Sequence, residues 1–127
     1  MTVMAIRIRG CVFSGSGEAA YYVKLYENSF EQLLGSKPYP GTLNIRLDKC
    51  FEEYARNIKP LVIEPPRSDL GAVHVYMGYL AGYRVLVVKP AKTRYECNVV
   101  EVVSDTKLRD ILKLKDGDLV EVVILEQ

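Results

Sequence analysis

The chain has 127 residues, of which 49% are hydrophobic and 26% are charged. This composition is typical of one soluble globular domain and excludes a disordered or membrane-spanning chain. Its 17 basic and 16 acidic side chains leave a net charge of +1, so the basic surface of a nucleic-acid-binding protein is not expected. Without an apolar leader or span, we expect a cytoplasmic monomer that binds no membrane.

Short apolar runs rich in β-branched residues predict seven strands, and seven strands in so short a chain favour a closed barrel. A tight hairpin is predicted at Ala81 and Gly82. The predicted strands are Met4–Phe13, Tyr21–Leu25, Thr42–Leu47, Val73–Leu80, Tyr83–Val88, Asn98–Val103 and Leu119–Leu125.

Three short helices are predicted between the strands. They cover Ser29–Leu34, Asp48–Asn57 and Thr106–Leu112. Ser29 has capping-box spacing to Gln32, and Gly35 provides a left-handed C-terminal cap. Asp48 is the predicted cap of the second helix, and Ser104 or Asp105 caps the third.

The three cysteines, Cys11, Cys50 and Cys97, are odd in number and widely spaced. No Cys-x-x-Cys pair is present, so neither a disulfide framework nor a zinc site is indicated. We therefore predict three buried or unreactive thiols.

A glycine-rich segment, residues 14–20, is predicted to connect the first two strands. Glycine lets backbone N–H groups approach phosphate oxygens closely. No Gly-Lys-Ser/Thr follows, and a strand rather than a helix is predicted next, which excludes the Walker and Rossmann motifs. A flexible hairpin loop has the same composition, so both interpretations stay open at this stage.

Thr42 and Asn44 lie two residues apart on a predicted strand, so their side chains share one face. A hydroxyl and an amide oxygen can hold Mg²⁺ that is already bound to phosphate oxygens. The polar face of an ordinary amphipathic strand would look the same.

Three further segments carry charges that suit either a site or a solvated surface. The predicted loop at residues 89–96 concentrates three basic residues with Thr93, which suits a phosphate group. Glu101 interrupts the apolar run Val99–Val103. An unpaired carboxylate buried there would cost on the order of several kcal/mol, so a side chain that faces outward is favoured. Lys107–Asp110 is either a solvated helix face or a surface presented to a nucleotide base.

Four blocks, taken together and in this order, resemble archaeal CTP-dependent riboflavin kinases over nearly the whole chain. They are Gly15–Glu18, Pro38–Asn44, Val100–Val103 and Lys107–Arg109 with the following Leu114–Asp118. The resemblance implies a mainly β fold, a small closed six-stranded cradle-loop (RIFT-type) barrel with short helices. It also implies that residues 1–127 form a single kinase domain without the N-terminal helix-turn-helix domain of some relatives.

The activity implied by the resemblance is transfer of the γ-phosphoryl group of CTP to the 5′-hydroxyl of riboflavin, giving FMN and CDP with Mg²⁺. The matching nucleotide-binding residues are Gly15, Ser16, Gly17, Glu18, Ala19, Ala20, Lys107, Leu108, Arg109 and Asp110. Thr42 and Asn44 match the metal ligands, and Thr93 and Glu101 match the flavin contacts. The chain departs from the family pattern at Ala19 and Ala20.

Glu101 is the candidate catalytic residue that orients or deprotonates the ribityl hydroxyl, because a carboxylate in a partly desolvated barrel mouth can have the raised pKa that a base needs. Lys92, Arg94 and Arg109 are alternatives for charge stabilisation. Two rival functions are a non-catalytic flavin-binding module, which needs no metal pair, and a DNA-binding barrel regulator, which the near-neutral charge disfavours.

Overall fold

A computed structural model describes residues 5–126, which fold into seven strands and four short helices. The strands are β1 Ala5–Phe13, β2 Leu43–Leu47, β3 Leu61–Ile63, β4 Val73–Leu80, β5 Tyr83–Pro90, β6 Val99–Val103 and β7 Leu119–Leu125. The helices are α1 Ala19–Leu25, α2 Glu27–Leu34, α3 Phe51–Tyr54 and α4 Leu108–Ile111. Met4, predicted to begin the first strand, lies outside the described residues. Within residues 5–126, every helix is too short or too polar to span a bilayer.

Six antiparallel strands close into a barrel in the order β4, β5, β6, β2, β1, β7. The closing contact is the pairing of β7 with β4, in which Gly78 lies opposite Ile124. A Cβ atom at position 78 would collide with the Val123 carbonyl, so glycine permits the close approach of the two strands. β3 pairs with β4 outside this ring. The predicted closed six-stranded barrel is therefore confirmed.

The barrel wall separates two apolar cores. All six barrel strands contribute to the first, through Ile8, Ile45, Leu80, Val87, Val100 and Ile124 among others, and this core fills the interior. The second lies outside the wall, where β3 to β6 pack against α1 and α2. Alternate residues of β5 serve the two cores, which explains why the whole run Val85–Val88 is buried.

The predicted strand at residues 21–25 is wrong, because this segment is helical. The buried residues Val23, Tyr26, Phe30 and Leu34 recur at spacings of three and four, which is the period of one helix face. The same buried face continues from α1 into α2, although the chain bends at Tyr26. The glycine-rich segment consequently leads into a helix and not into a strand.

The other helices are displaced or shorter than predicted. α2 begins at Glu27 rather than at Ser29. Asp48 does not cap α3, because its carboxylate accepts a hydrogen bond from the Tyr54 hydroxyl. Lys107 precedes α4 in an extended conformation, which limits this helix to four residues. β3 was not predicted, since three residues carry too little alternation to be recognised.

The predicted turn chemistry is confirmed at two places. Ala81 and Gly82 both adopt positive φ angles, of 51° and 84°, in the hairpin between β4 and β5. Gly35 has a φ of 83° at the end of α2, as a left-handed cap requires.

Two of the three cysteines form a disulfide, so the prediction of three thiols is wrong. Cys50 and Cys97 are joined with their Cα atoms 4.7 Å apart, while Cys11 is free and exposed. The pairing depends on long-range contacts, such as the Phe51 N–H that donates to the Cys97 carbonyl at 2.9 Å. The spacing of the cysteines in the sequence does not indicate these contacts.

Replacing both Cys50 and Cys97 with serine should lower the thermal stability of the protein. The disulfide closes a loop with a sequence separation of 47 residues, for which chain entropy predicts about 4 kcal/mol of stabilisation at most. Denaturation of the double variant and the wild type, each with and without reductant, measures this effect. Cys11→Ser is the control and should match the wild type. Equal stability of the double variant and the oxidised wild type would contradict the expectation.

Candidate active site

A cavity of about 530 Å³ lies on the outer face of β2 and β6. Its walls come from the glycine-rich segment, the start of α1, residues 39–44, residues 92–95 and the residues around α4. The predicted site residues that line it are Gly15, Ser16, Gly17, Glu18, Ala19, Ala20, Thr42, Asn44, Thr93, Glu101, Lys107, Leu108 and Arg109. Asp110 does not line the cavity, and its carboxylate instead lies 3.7 Å from the Lys107 ammonium.

Three side chains with oxygen ligands meet at the floor of this cavity. The Thr42 Oγ1 atom lies 2.9 Å from Asn44 Oδ1 and 3.4 Å from Glu101 Oε1. The register of β2 and β6 causes this meeting, because Asn44 lies directly opposite Glu101. Thr42 and Asn44 share one face, as predicted, and Asn44 is only 6% exposed.

The segment before Thr42 is held against the end of β6. The Tyr39 N–H donates to the Ser104 carbonyl at 2.8 Å, and the Gly41 N–H donates to the Tyr39 carbonyl at 2.9 Å. These two backbone hydrogen bonds fix the turn that delivers Thr42 to the cavity. Ser104 is itself buried, so the anchor point is protected from water.

Glu101 faces away from the barrel interior, as predicted, but its side chain is only partly exposed. The glycine-rich segment and residues 92–95 help to enclose the space above it. Burial raises the pKa of the Glu101 carboxyl above its ordinary value, while the hydrogen bond from Thr42 and the charge of Lys89 oppose this shift. Glu101 is therefore a carboxyl group whose protonated form is favoured relative to that of an exposed glutamate.

The glycine-rich segment contacts the cavity floor and the loop at residues 91–95. A Cβ atom at Gly15 would collide with the Asn44 amide and the Tyr95 hydroxyl. The Ser16 N–H donates to the Tyr95 hydroxyl at 3.3 Å, and the Arg94 guanidinium lies 3.6 Å from the Glu18 carboxylate. The two segments thus meet across the cavity.

Asp116 connects the glycine-rich segment to α4. Its carboxylate accepts a hydrogen bond from Ser14 Oγ at 2.9 Å and pairs with the Arg109 guanidinium at 2.9 Å. The Arg109 hydrogen bond, followed by that from Ser14, lowers the pKa of Asp116. Asp118 instead accepts the Lys115 N–H at 2.8 Å and closes its own turn. Residues 5–126 contain no cluster of three acidic, histidine or cysteine side chains that could hold a metal ion.

Sequence reasoning missed three residues of this cavity environment: Tyr22, Tyr95 and Asp116. Tyr95 contacts Ser16 across 79 residues, and Asp116 contacts Ser14 across 102 residues. Of these three residues, only Tyr22 could be found from nearby residues in the sequence, because it lies in the helical segment that was predicted to be a strand.

The sequence of the chain is similar to one described family and to several known proteins. The model of the family labelled CTP-dep_RFKase, described as "Domain of unknown function DUF120", matches residues 12–124. A riboflavin kinase from Staphylothermus marinus is 44% identical over 124 residues, covering 98% of this chain and 95% of that protein. A riboflavin kinase from Pyrobaculum arsenaticum is 42% identical over 131 residues, covering 97% of this chain.

The relatives differ in length. This chain spans nearly all of the Staphylothermus protein but 62% of the Pyrobaculum arsenaticum protein. It spans 55% of a riboflavin kinase from Archaeoglobus fulgidus, to which it is 41% identical over 128 residues. The similarity therefore covers almost the whole of this chain and a variable share of its relatives.

Glu101→Gln should stabilise the protein relative to the wild type as the pH rises. Because the pKa of Glu101 is raised on folding, wild-type stability falls as the pH rises from the unfolded carboxyl's pKa through the folded one. Glutamine cannot ionise, so melting temperatures measured across this range should diverge in favour of the variant and then stay parallel. Glu121→Gln is the control with opposite sign, because Arg9 lowers the pKa of that carboxyl. A pH-independent difference for Glu101→Gln would contradict the assignment.

Proposed function

This chain belongs to the archaeal CTP-dependent riboflavin kinase family, and on that premise we propose that it transfers the γ-phosphoryl group of CTP to the 5′-hydroxyl of riboflavin. The products are FMN and CDP, and the reaction requires Mg²⁺. One observation carries the proposal beyond family membership. The glycine-rich segment, the Thr42–Asn44 pair and Glu101 line the same cavity, although they lie far apart in sequence.

The glycine-rich segment is the proposed binding site for the CTP phosphates. Phosphoryl transfer depends mostly on positioning and charge neutralisation, so backbone N–H groups held close to phosphate oxygens suit the task. The departure from the family pattern at Ala19 and Ala20 matters little here, because these residues begin α1 and contribute backbone N–H groups. Glu18 and Arg94 lie at the edge of this site and pair with each other.

The oxygen cluster at the cavity floor suits Mg²⁺. This ion prefers hard oxygen ligands and keeps much of its shell as water and substrate phosphate, so few protein ligands are needed. Thr42 Oγ1 and Asn44 Oδ1, 2.9 Å apart, would hold it. When bound, the ion would neutralise charge on the phosphate oxygens. The Gly15 backbone lies against the Asn44 amide, which brings the proposed phosphate and metal sites together.

Glu101 is the proposed base, and Thr93 with Glu101 would contact the flavin. In the transfer step the 5′-hydroxyl gives its proton to Glu101, the oxygen forms a bond to the γ-phosphorus, and the bond between that phosphorus and the β–γ bridging oxygen breaks. The bridging oxygen leaves on CDP. The raised pKa of Glu101 makes its carboxylate a better proton acceptor than an exposed one would be. Lys92, Arg94 and Arg109 line the cavity and are the candidates for stabilising the charge that develops.

Lys107, Leu108 and Arg109 are the proposed contacts to cytidine, with Asp110 acting only through its ion pair with Lys107. The bond between Arg109 and Asp116 holds this surface against the glycine-rich segment. The choice of CTP over other nucleotides is supported by the family alone. A base bound by backbone groups requires no diagnostic side chain.

Riboflavin incubated with CTP and Mg²⁺ should give FMN, which flavin chromatography detects. Replacing CTP with ATP, omitting the nucleotide or chelating the metal should each abolish the product, because the donor and the ion are both part of the proposed reaction. Bound but unconverted riboflavin under all conditions would identify a flavin-binding module instead. Salt-dependent duplex binding without FMN would favour the DNA-binding regulator.

Three substitutions should separate the proposed roles. Thr42→Val should raise the Mg²⁺ concentration for half-maximal activity by about tenfold, because it removes a ligand but keeps the shape. Thr93→Val should raise the KM for riboflavin and leave the Mg²⁺ requirement unchanged. Glu101→Gln should lower kcat by roughly 10²- to 10⁴-fold at saturating substrates. Near wild-type kcat in the last variant would exclude an essential base.

A further inference from the structure

The Tyr22 hydroxyl is buried without a hydrogen-bond partner among residues 5–126. Tyr22 lines the cavity, and its ring packs against Tyr26 and Phe30, with ring centroids 5.0 Å and 6.3 Å away. These aromatic contacts leave the ring little freedom to turn towards water. Leaving such a donor unsatisfied costs about 1–3 kcal/mol, so an unpaired phenol on a residue of the cavity wall calls for an explanation.

Tyr26, one helical turn after Tyr22, differs from it in the hydrogen bonding of its hydroxyl group. Its hydroxyl donates to the Gly71 carbonyl at 2.7 Å, which satisfies the group within the protein. Tyr26 is buried in the outer core and does not line the cavity. The two tyrosines share an aromatic cluster, yet only the one at the cavity lacks a partner.

We infer that Tyr22 determines flavin binding, by donating a hydrogen bond to an acceptor atom of the bound riboflavin. This inference rests on the proposed function, and it adds a contact that the motif blocks do not include. A flavin offers several acceptors, namely the two ring carbonyls, the unprotonated ring nitrogens and the ribityl oxygens. A bound flavin would therefore remove the cost of the unpaired phenol, and this gain appears as affinity.

Two observations place this contact with the flavin and not with CTP. The Tyr22 N–H donates to the Glu18 carbonyl at 3.2 Å and is therefore not free to bind a phosphate, and Tyr22 lies two residues beyond Ala20, the last residue of the proposed phosphate site. Tyr22 lines the same cavity as Glu101, the proposed flavin contact, and the charge of Glu101 adds to burial in raising the pKa of the phenol. The raised pKa keeps the hydroxyl protonated, and thus a donor, at every pH at which the enzyme can work.

Tyr22→Phe tests the inference, because it removes the donor and keeps the ring. Riboflavin affinity, measured by flavin fluorescence alone and with Mg²⁺ and CDP, should fall roughly 3- to 10-fold, as expected for one hydrogen bond. The CDP affinity should not change. The melting temperature of the ligand-free variant should equal or exceed that of the wild type, since an unsatisfied buried group is lost.

Tyr26→Phe is the matched control. It breaks the bond to Gly71, so its melting temperature should fall while its riboflavin affinity stays at the wild-type value. Three outcomes for Tyr22→Phe would overturn the inference: unchanged riboflavin affinity, a loss confined to CDP, or a fall in melting temperature like that of Tyr26→Phe. A wild type that binds riboflavin and makes no FMN would refute the kinase and leave the Tyr22 contact standing. A wild type that makes FMN, beside a Tyr22→Phe variant of full affinity, would refute only the contact.

Discussion

The pairing of β7 with both β1 and β4 is the constraint on which the rest of the structure depends. Once the sheet closes, its inner face is filled by side chains from all six barrel strands, and no ligand can enter there. A site must therefore be built on the outer face. β2 and β6 present Asn44 and Glu101 on that face, and the surrounding loops and α1 turn an open surface into a cavity.

The cavity contains two groups that destabilise the folded protein, and favourable contacts elsewhere must compensate for them. Glu101 is a half-buried carboxyl whose ionised form is disfavoured, and Tyr22 is a phenol without an acceptor. Both lie beside well-satisfied structure: β6 pairs with β2 on one side and with β5 on the other, and the aromatic cluster behind Tyr22 is buried. Both of these groups are proposed contacts of the flavin, and loss of stability at functional groups is a common arrangement in enzymes.

The sequence predicted most strands well, because residues such as Val85–Val88 and Val99–Val103 combine β-branched side chains with clear boundaries. It failed at residues 21–25, where local β propensity concealed a stripe of period 3.6 that is only visible when followed to Leu34. The Thr42 and Asn44 pair was accessible from strand alternation. The disulfide, Tyr95 and Asp116 were not, because each depends on a contact between segments that are between 47 and 102 residues apart.

The ion pair between Arg94 and Glu18 joins two segments across the cavity, and both side chains are largely exposed to water. A pair of this kind is worth about 0–1 kcal/mol, hardly more than the thermal energy. Separating the two segments therefore requires no strand to unpair, and loop motion of this type takes roughly nanoseconds to microseconds. The barrel can remain rigid while ligands enter and leave the cavity on its outer face, so the passage of ligands is decoupled from the stability of the fold.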